Sequence, residues 1–341
     1  MNKRLLIRNL GIVALIMLLF LLPVFVKNAY WLHVLIIIAI NILIAVNLRT
    51  IFLTGEVCLG IAGFMLLGAY GSALLTLKVG LSFWVAMPLG GLLAAVVALA
   101  VGYPFFRVKG IYFAILTLLI AVIFQYVAGY WDSLTVGWHG LTDIPVPDPI
   151  TIPWIGTIKF DTDVAYYYLS FAIIGLSLFI LYRMEHARVG TIWGAIKESD
   201  GLAQSFGINI IWHKIFIFSL ACFFSGIAGS LFAHYVHAIS PANNPGNQFA
   251  IWTSLYAIIY MVVGGQASFA GPIIGATVLL IIPELARPLQ EFRPFLNGGL
   301  VILIVFFMPG GLIGLLNIIW HRKFEVIWAS KNKNKTSEVH P

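Results

Sequence analysis

Apolar stretches of about 17 to 23 residues follow one another along most of this chain, near 9–26, 31–48, 57–77, 83–104, 111–130, 164–182 and 213–235. Further ones lie near 250–264, 272–286 and 295–318. A hydrocarbon layer ~30 Å thick is crossed by ~20 helical residues, and a backbone in lipid must satisfy its own hydrogen bonds. Alternating strands of ~10 residues would signal a barrel. Unbroken runs of this length instead predict an all-α, polytopic membrane bundle of about eight to ten spans. Glycine and proline interrupt the eighth and ninth stretches, and Gly271, Pro272 and Gly275 raise the expectation of a broken or re-entrant ninth span. The composition, 61% hydrophobic and 10% charged, excludes an ordinary soluble domain.

Basic residues gather on the cytoplasmic side of membrane proteins. With both termini inside, ten spans put Lys3, Arg4, Arg8, Arg49, Arg107, Lys109, Arg183, Arg188, Lys197, Lys214 and the Lys-rich tail on the inner face. Lys27, Lys78, Lys159, Arg287 and Arg293 fall outside. Residues 1–330 then form one transmembrane domain, with a polar tail at 331–341, a cytoplasmic loop at 183–214 and an extracytoplasmic loop at 131–163. Asp132, Asp143, Asp148, Asp161 and Asp163 make that outer loop acidic, and its four prolines forbid a continuous helix. The first stretch reads as a retained span rather than a cleaved signal, because no small-residue cleavage pattern follows Val26. The net charge of +7 is scattered, so it predicts no nucleic-acid surface.

Polar groups inside the spans are few. Glu56 and Glu284 sit at span ends, where facing the interface or capping is a commoner duty than proton carriage. Asn41, Asn47 and Gln125 are uncharged; they either join helices or line a translocation path. Small residues four apart, Gly90-Ala94-Ala98-Gly102 and Ala221-Ser225-Gly229-Ala233, predict close helix packing, with a subunit interface or pore lining as the alternative. His234 and His237 lack further ligands nearby in sequence, and Cys58 and Cys222 lie in apolar runs, so no metal site, cofactor or disulfide is predicted. The chain has no phosphate-binding loop, nucleophile elbow or His-Glu-x-x-His motif, so it does not read as an enzyme.

One polar segment stands apart, Ala195-Ile-Lys-Glu-Ser-Asp200 through Phe206-Gly-Ile208. Ser199 or Asp200 suits a helix N-cap, Leu202 and Phe206 fall four apart on one face, and Gly207 suits a left-handed helix end. A loop helix resting on lipid would carry a basic polar face, and Glu198 and Asp200 argue against that.

This segment resembles the coupling loop of permease subunits in ATP-binding-cassette importers, in the form of the branched-chain amino-acid (LivM-like) permease family. Leu53-Thr-Gly55, Gly68-Ala-Tyr70, Lys109-Gly-Ile-Tyr-Phe-Ala-Ile-Leu-Thr117, Val262-Val-Gly-Gly265, Gly271-Pro272 and Pro309-Gly-Gly-Leu-Ile-Gly314 extend the resemblance from Asn47 to Leu315. Two stretches depart from the family pattern, Glu56-Val-Cys-Leu-Gly60 and Val136-Gly-Trp-His-Gly-Leu141. The resemblance implies an inner-membrane permease that pairs with a second, homologous permease, two cytoplasmic ATP-binding subunits and an extracytoplasmic substrate-binding protein. It further implies that Lys197, Glu198, Asp200, Gly201, Leu202, Phe206 and Gly207 meet the ATPase. Branched-chain amino acids are the expected solute, with urea, amides or other small solutes as the alternative. A secondary transporter or channel is the rival class; it would need an intramembrane carboxylate or ion site.

Overall fold

The computed structural model describes residues 22–23, 28–152, 156–242, 247–285, 298–299, 302, 306 and 310–314. Apart from a few isolated residues in each, the expected first and tenth spans lie outside the described residues, as does the polar tail.

Among the described residues, six helices are long and apolar enough to cross a membrane: α1 (Ala29–Phe52), α2 (Ile61–Val79), α3 (Phe83–Phe105), α4 (Ile111–Tyr130), α6 (Asp163–Glu185) and α9 (Ile210–Val236). Two shorter apolar helices follow, α10 (Ile251–Gly264) and α11 (Ala270–Leu285). Together these correspond to the second through ninth expected spans. Between them lie α5 (Asp132–Thr135), α7 (Arg188–Glu198) and α8 (Asp200–Ser205). A small antiparallel hairpin pairs β1 (Ile150–Ile152) with β2 (Gly156–Ile158) in the 131–163 loop.

Local chemistry sets the helix limits. Asn28, Thr162 and Asn209 accept backbone N–H groups through their side chains at the starts of α1, α6 and α9. Gly80, left-handed at φ 71°, closes α2. Pro272 falls in the first turn of α11, where its missing N–H breaks no bond, so the ninth span is not interrupted there.

The most buried element is α9, enclosed by α2, α3 and α1. Both small-residue stripes are buried inside the chain. A methyl group on Gly68 would stand 2.2 Å from the Gly226 Cα, and one on Gly229 would stand 1.9 Å from the Met65 carbonyl oxygen. These backbones touch because nothing larger than hydrogen lies between them, which is how helices associate where lipid supplies no hydrophobic drive. Ser230 reinforces the contact by donating to the Gly68 carbonyl at 3.0 Å.

At one end of the bundle, the acidic 131–163 loop is strapped to the close of α9. The His234 and His237 Nδ1 atoms donate to the carbonyls of Pro145 and Ile144, at 2.8 and 2.9 Å. Leu141 and Ile239 form a β-bridge, and Asp148 accepts the Phe83 N–H at the start of α3. The two histidines and Asp148 are thus bound into the structure of this end, and the basic loops collect at the other.

Candidate functional site

The basic end is built around the protruding pair α7 and α8. Trp193 and Ile196 bury one face of α7. Ser199 breaks the helix in an extended conformation and accepts the Leu202 N–H on its hydroxyl at 3.3 Å, so Ser199 is the cap that starts α8. Only Ala203 of α8 is buried, leaving Leu202 66% and Phe206 83% exposed. Gly207, at φ 79° with open space around it, turns the chain toward α9. Glu198 and Gly201 are exposed on the same projection.

Charges fasten this projection to the bundle. Asp200 receives Lys109 from the α3–α4 loop at 2.8 Å and Lys214 from α9 at 3.3 Å. Lys214 also meets Glu56 at 3.0 Å, and both of those side chains are about 5% exposed. Burial raises the Asp200 carboxyl pKa, but the Lys109 hydrogen bond and the Lys214 charge outweigh it and leave the group below its ordinary 3.8. Lys109 is raised by its bond to Asp200 and by that charge. The Lys197 ammonium lies 4.0 Å from the centre of the Phe52 ring, and its pKa is lowered by burial and by the Arg49 charge. A cleft of about 750 Å³ separates α8 from the 106–109 loop, with Arg107, Gln204 and Asn209 on its walls.

Asn41, Asn47 and Gln125 are all buried and all bridge elements. Asn47 donates to Ser225 of α9 at 3.0 Å. Asn41, halfway along α1, donates to Gln248, and Gln125 donates to the Phe249 carbonyl. Two of the three therefore converge on residues 247–250, an irregular stretch that reaches the depth of the α1 midpoint before α10 begins. Non-helical backbone at such depth is tolerated where protein satisfies it. Among the described residues the irregular backbone lies before the eighth expected span, and α11 runs unbroken through residues 271–275.

Residues 30–318 match the model of the family described as "Branched-chain amino acid transport system / permease component". The chain belongs to this permease family. Among relatives, the high-affinity branched-chain amino acid transport system permease protein LivM of Escherichia coli (strain K12) is 30% identical over 292 residues, covering 80% of this permease and 68% of LivM. The permease protein LivH of the same strain is 26% identical over 145 residues, 42% of this permease and 44% of LivH. The ribose import permease protein RbsC, also of that strain, is 22% identical over 286 residues, 78% of this permease and 75% of RbsC. No solved structure matches the permease.

Reasoning from sequence missed Lys109 and Lys214, whose bonds to Asp200 are given above, and two further residues of this end. Arg49, 1% exposed, donates to both Glu185 carboxylate oxygens at 2.7 and 2.8 Å and to the Gln266 carbonyl at 3.1 Å. The available signal was a lone arginine closing an apolar run, with no partner near it in sequence. Glu56, expected to cap or face the interface, is instead half of a buried ion pair.

Proposed function

We propose that this permease is one of two homologous membrane subunits of an ATP-binding-cassette importer for branched-chain amino acids, in the inner membrane with its basic end cytoplasmic. The observation that carries this reading is the 195–208 segment. It is a short capped helix with two large apolar side chains in solvent, braced on its other side by two lysines and two carboxylates. An exposed Leu202–Phe206 pair on a firm base suits a groove of a partner protein. In the mechanism, ATP binding closes two ATPase subunits, a groove in one of them moves Leu202 and Phe206, and the bundle alternates between outward and inward openings.

The similarity to LivM favours the solute, and the similarity to LivH favours a related second permease. The acidic loop at the opposite end would receive a soluble binding protein. Affinity held in that protein leaves the path free to bind weakly, consistent with spans that carry few charges.

The test is the Phe206→Ala variant in the assembled transporter. The expected outcome is an intact complex that hydrolyses ATP while uptake falls at least about tenfold, the loss typical of a truncated interface anchor. Normal uptake at normal ATP cost would end the coupling role of this helix. Mass spectrometry of the proteins that co-purify with the tagged chain tests the partners directly.

A further inference from the structure

Residues 49–60, the last turn of α1 with the connection to α2, touch almost every element of the basic end. Arg49 holds Glu185 at the end of α6 and the Gln266 carbonyl in the α10–α11 turn. Phe52 lies under the Lys197 ammonium of α7. Glu56 binds Lys214 of α9, which binds Asp200 of α8. The Leu59 N–H donates to the Thr117 hydroxyl of α4 at 3.0 Å, and Gly60 lies directly against the Thr117 carbonyl.

Stability alone does not account for these charges. Removing a carboxylate and an ammonium from water costs more than an apolar pair of the same volume, and the mutual attraction only partly offsets it. Glu56 Oε2 finds no hydrogen-bond partner among the described residues, which adds to the cost. Ion pairs give what an apolar contact cannot, a directional bond that specifies one arrangement. α8 needs that, since six residues with one buried side chain have little reason to hold a helix or a station unaided.

We propose that Arg49 and Glu56 are positioning residues, and that the 49–60 segment is the bracket that holds α7 and α8 at a set place relative to α4, α9 and the α10–α11 turn. The part of this proposal that concerns transport rests on the coupling role given above to α8. A push on Phe206 then moves the bundle, because the loop beneath it cannot yield.

Two measurements separate the proposal from the coupling role. The first is hydrogen exchange on the purified full-length chain. Glu56→Gln removes the charge but keeps the shape, and exchange across residues 199–207 should become about tenfold faster, the loss expected for a charged hydrogen bond, while residues 61–79 are unaltered. Should Glu56→Gln not accumulate, Glu56→Asp, which keeps the charge but shortens its reach toward Lys214, is read the same way, with a rise of about threefold. Unchanged exchange overturns the bracket whatever α8 does. The second is solute taken up per ATP hydrolysed by the assembled transporter. Glu56→Gln should lower it about tenfold, and Glu56→Asp, which keeps the carboxylate for Lys214, should retain more of it than Glu56→Gln does. Normal uptake per ATP in Glu56→Gln, in a transporter that Phe206→Ala uncouples, overturns the proposal and spares the coupling role. Normal uptake in Phe206→Ala ends the coupling role, and the exchange experiment still decides whether the bracket exists.

Discussion

Glycine is the residue on which the packing of this permease turns, and its 32 glycines do not share one task. Gly68 has the Gly226 backbone where its side chain would be, whereas Gly175, on α6, has nothing within 4 Å. Gly68→Ala should therefore force α2 and α9 apart and lower stability by about 1–3 kcal/mol, the usual cost of overpacking. Gly175→Ala should leave the melting temperature unchanged or raise it slightly, because alanine favours a helix interior. Thermal unfolding in detergent checks both, and equal effects would mean that the α2–α9 contact is looser than described. Sequence alone marks such residues as a class, since small residues four apart on an apolar helix announce close approach. It does not name the partner helix, because Gly68 and Gly226 lie far apart along the chain.

Among the elements, α8 depends most on charge. The Asp200 pKa is lowered in the folded chain, so its tether to Lys109 and Lys214 is fully present above pH 3.8 and is lost as the pH falls through the lower folded value. A spin label on Ser205→Cys should show the same mobility from neutral pH down to about pH 5 and increasing mobility below about pH 4. The same label on an Asp200→Asn background should be mobile throughout; immobility there would show that Ala203 and the Ser199 cap suffice. The native thiols do not interfere, since Cys58 and Cys222 are both buried. The apolar runs made most elements legible: spans expected at 83–104, 111–130 and 250–264 are helices at Phe83–Phe105, Ile111–Tyr130 and Ile251–Gly264. The cap, the shared face of Leu202 and Phe206 and the left-handed end of α8 were legible too, because helix-end chemistry is local. What holds α8 in place was not, since Glu56, Lys109 and Lys214 come from three other parts of the chain and a charge in sequence does not declare its partner.

For the molecule as a whole, the two ends differ in charge, and the orientation proposed above rests on that difference. A membrane-impermeant maleimide applied to intact cells should label Thr142→Cys in the acidic loop and leave Ser205→Cys on α8 unlabelled until the cells are opened. The reverse pattern would invert the molecule and with it the side on which ATPases could act. Biosynthesis also bears on α10. A helix of 14 residues is too short to be recognised by hydrophobic length alone, and the bare backbone before it cannot rest in lipid. Its stable entry must await Asn41 and Gln125, whose side chains receive residues 248 and 249. Both are translated before α10, so the ribosome delivers the receivers ahead of the segment they receive, and a circular permutation that reversed that order would leave α10 stranded at the bilayer surface.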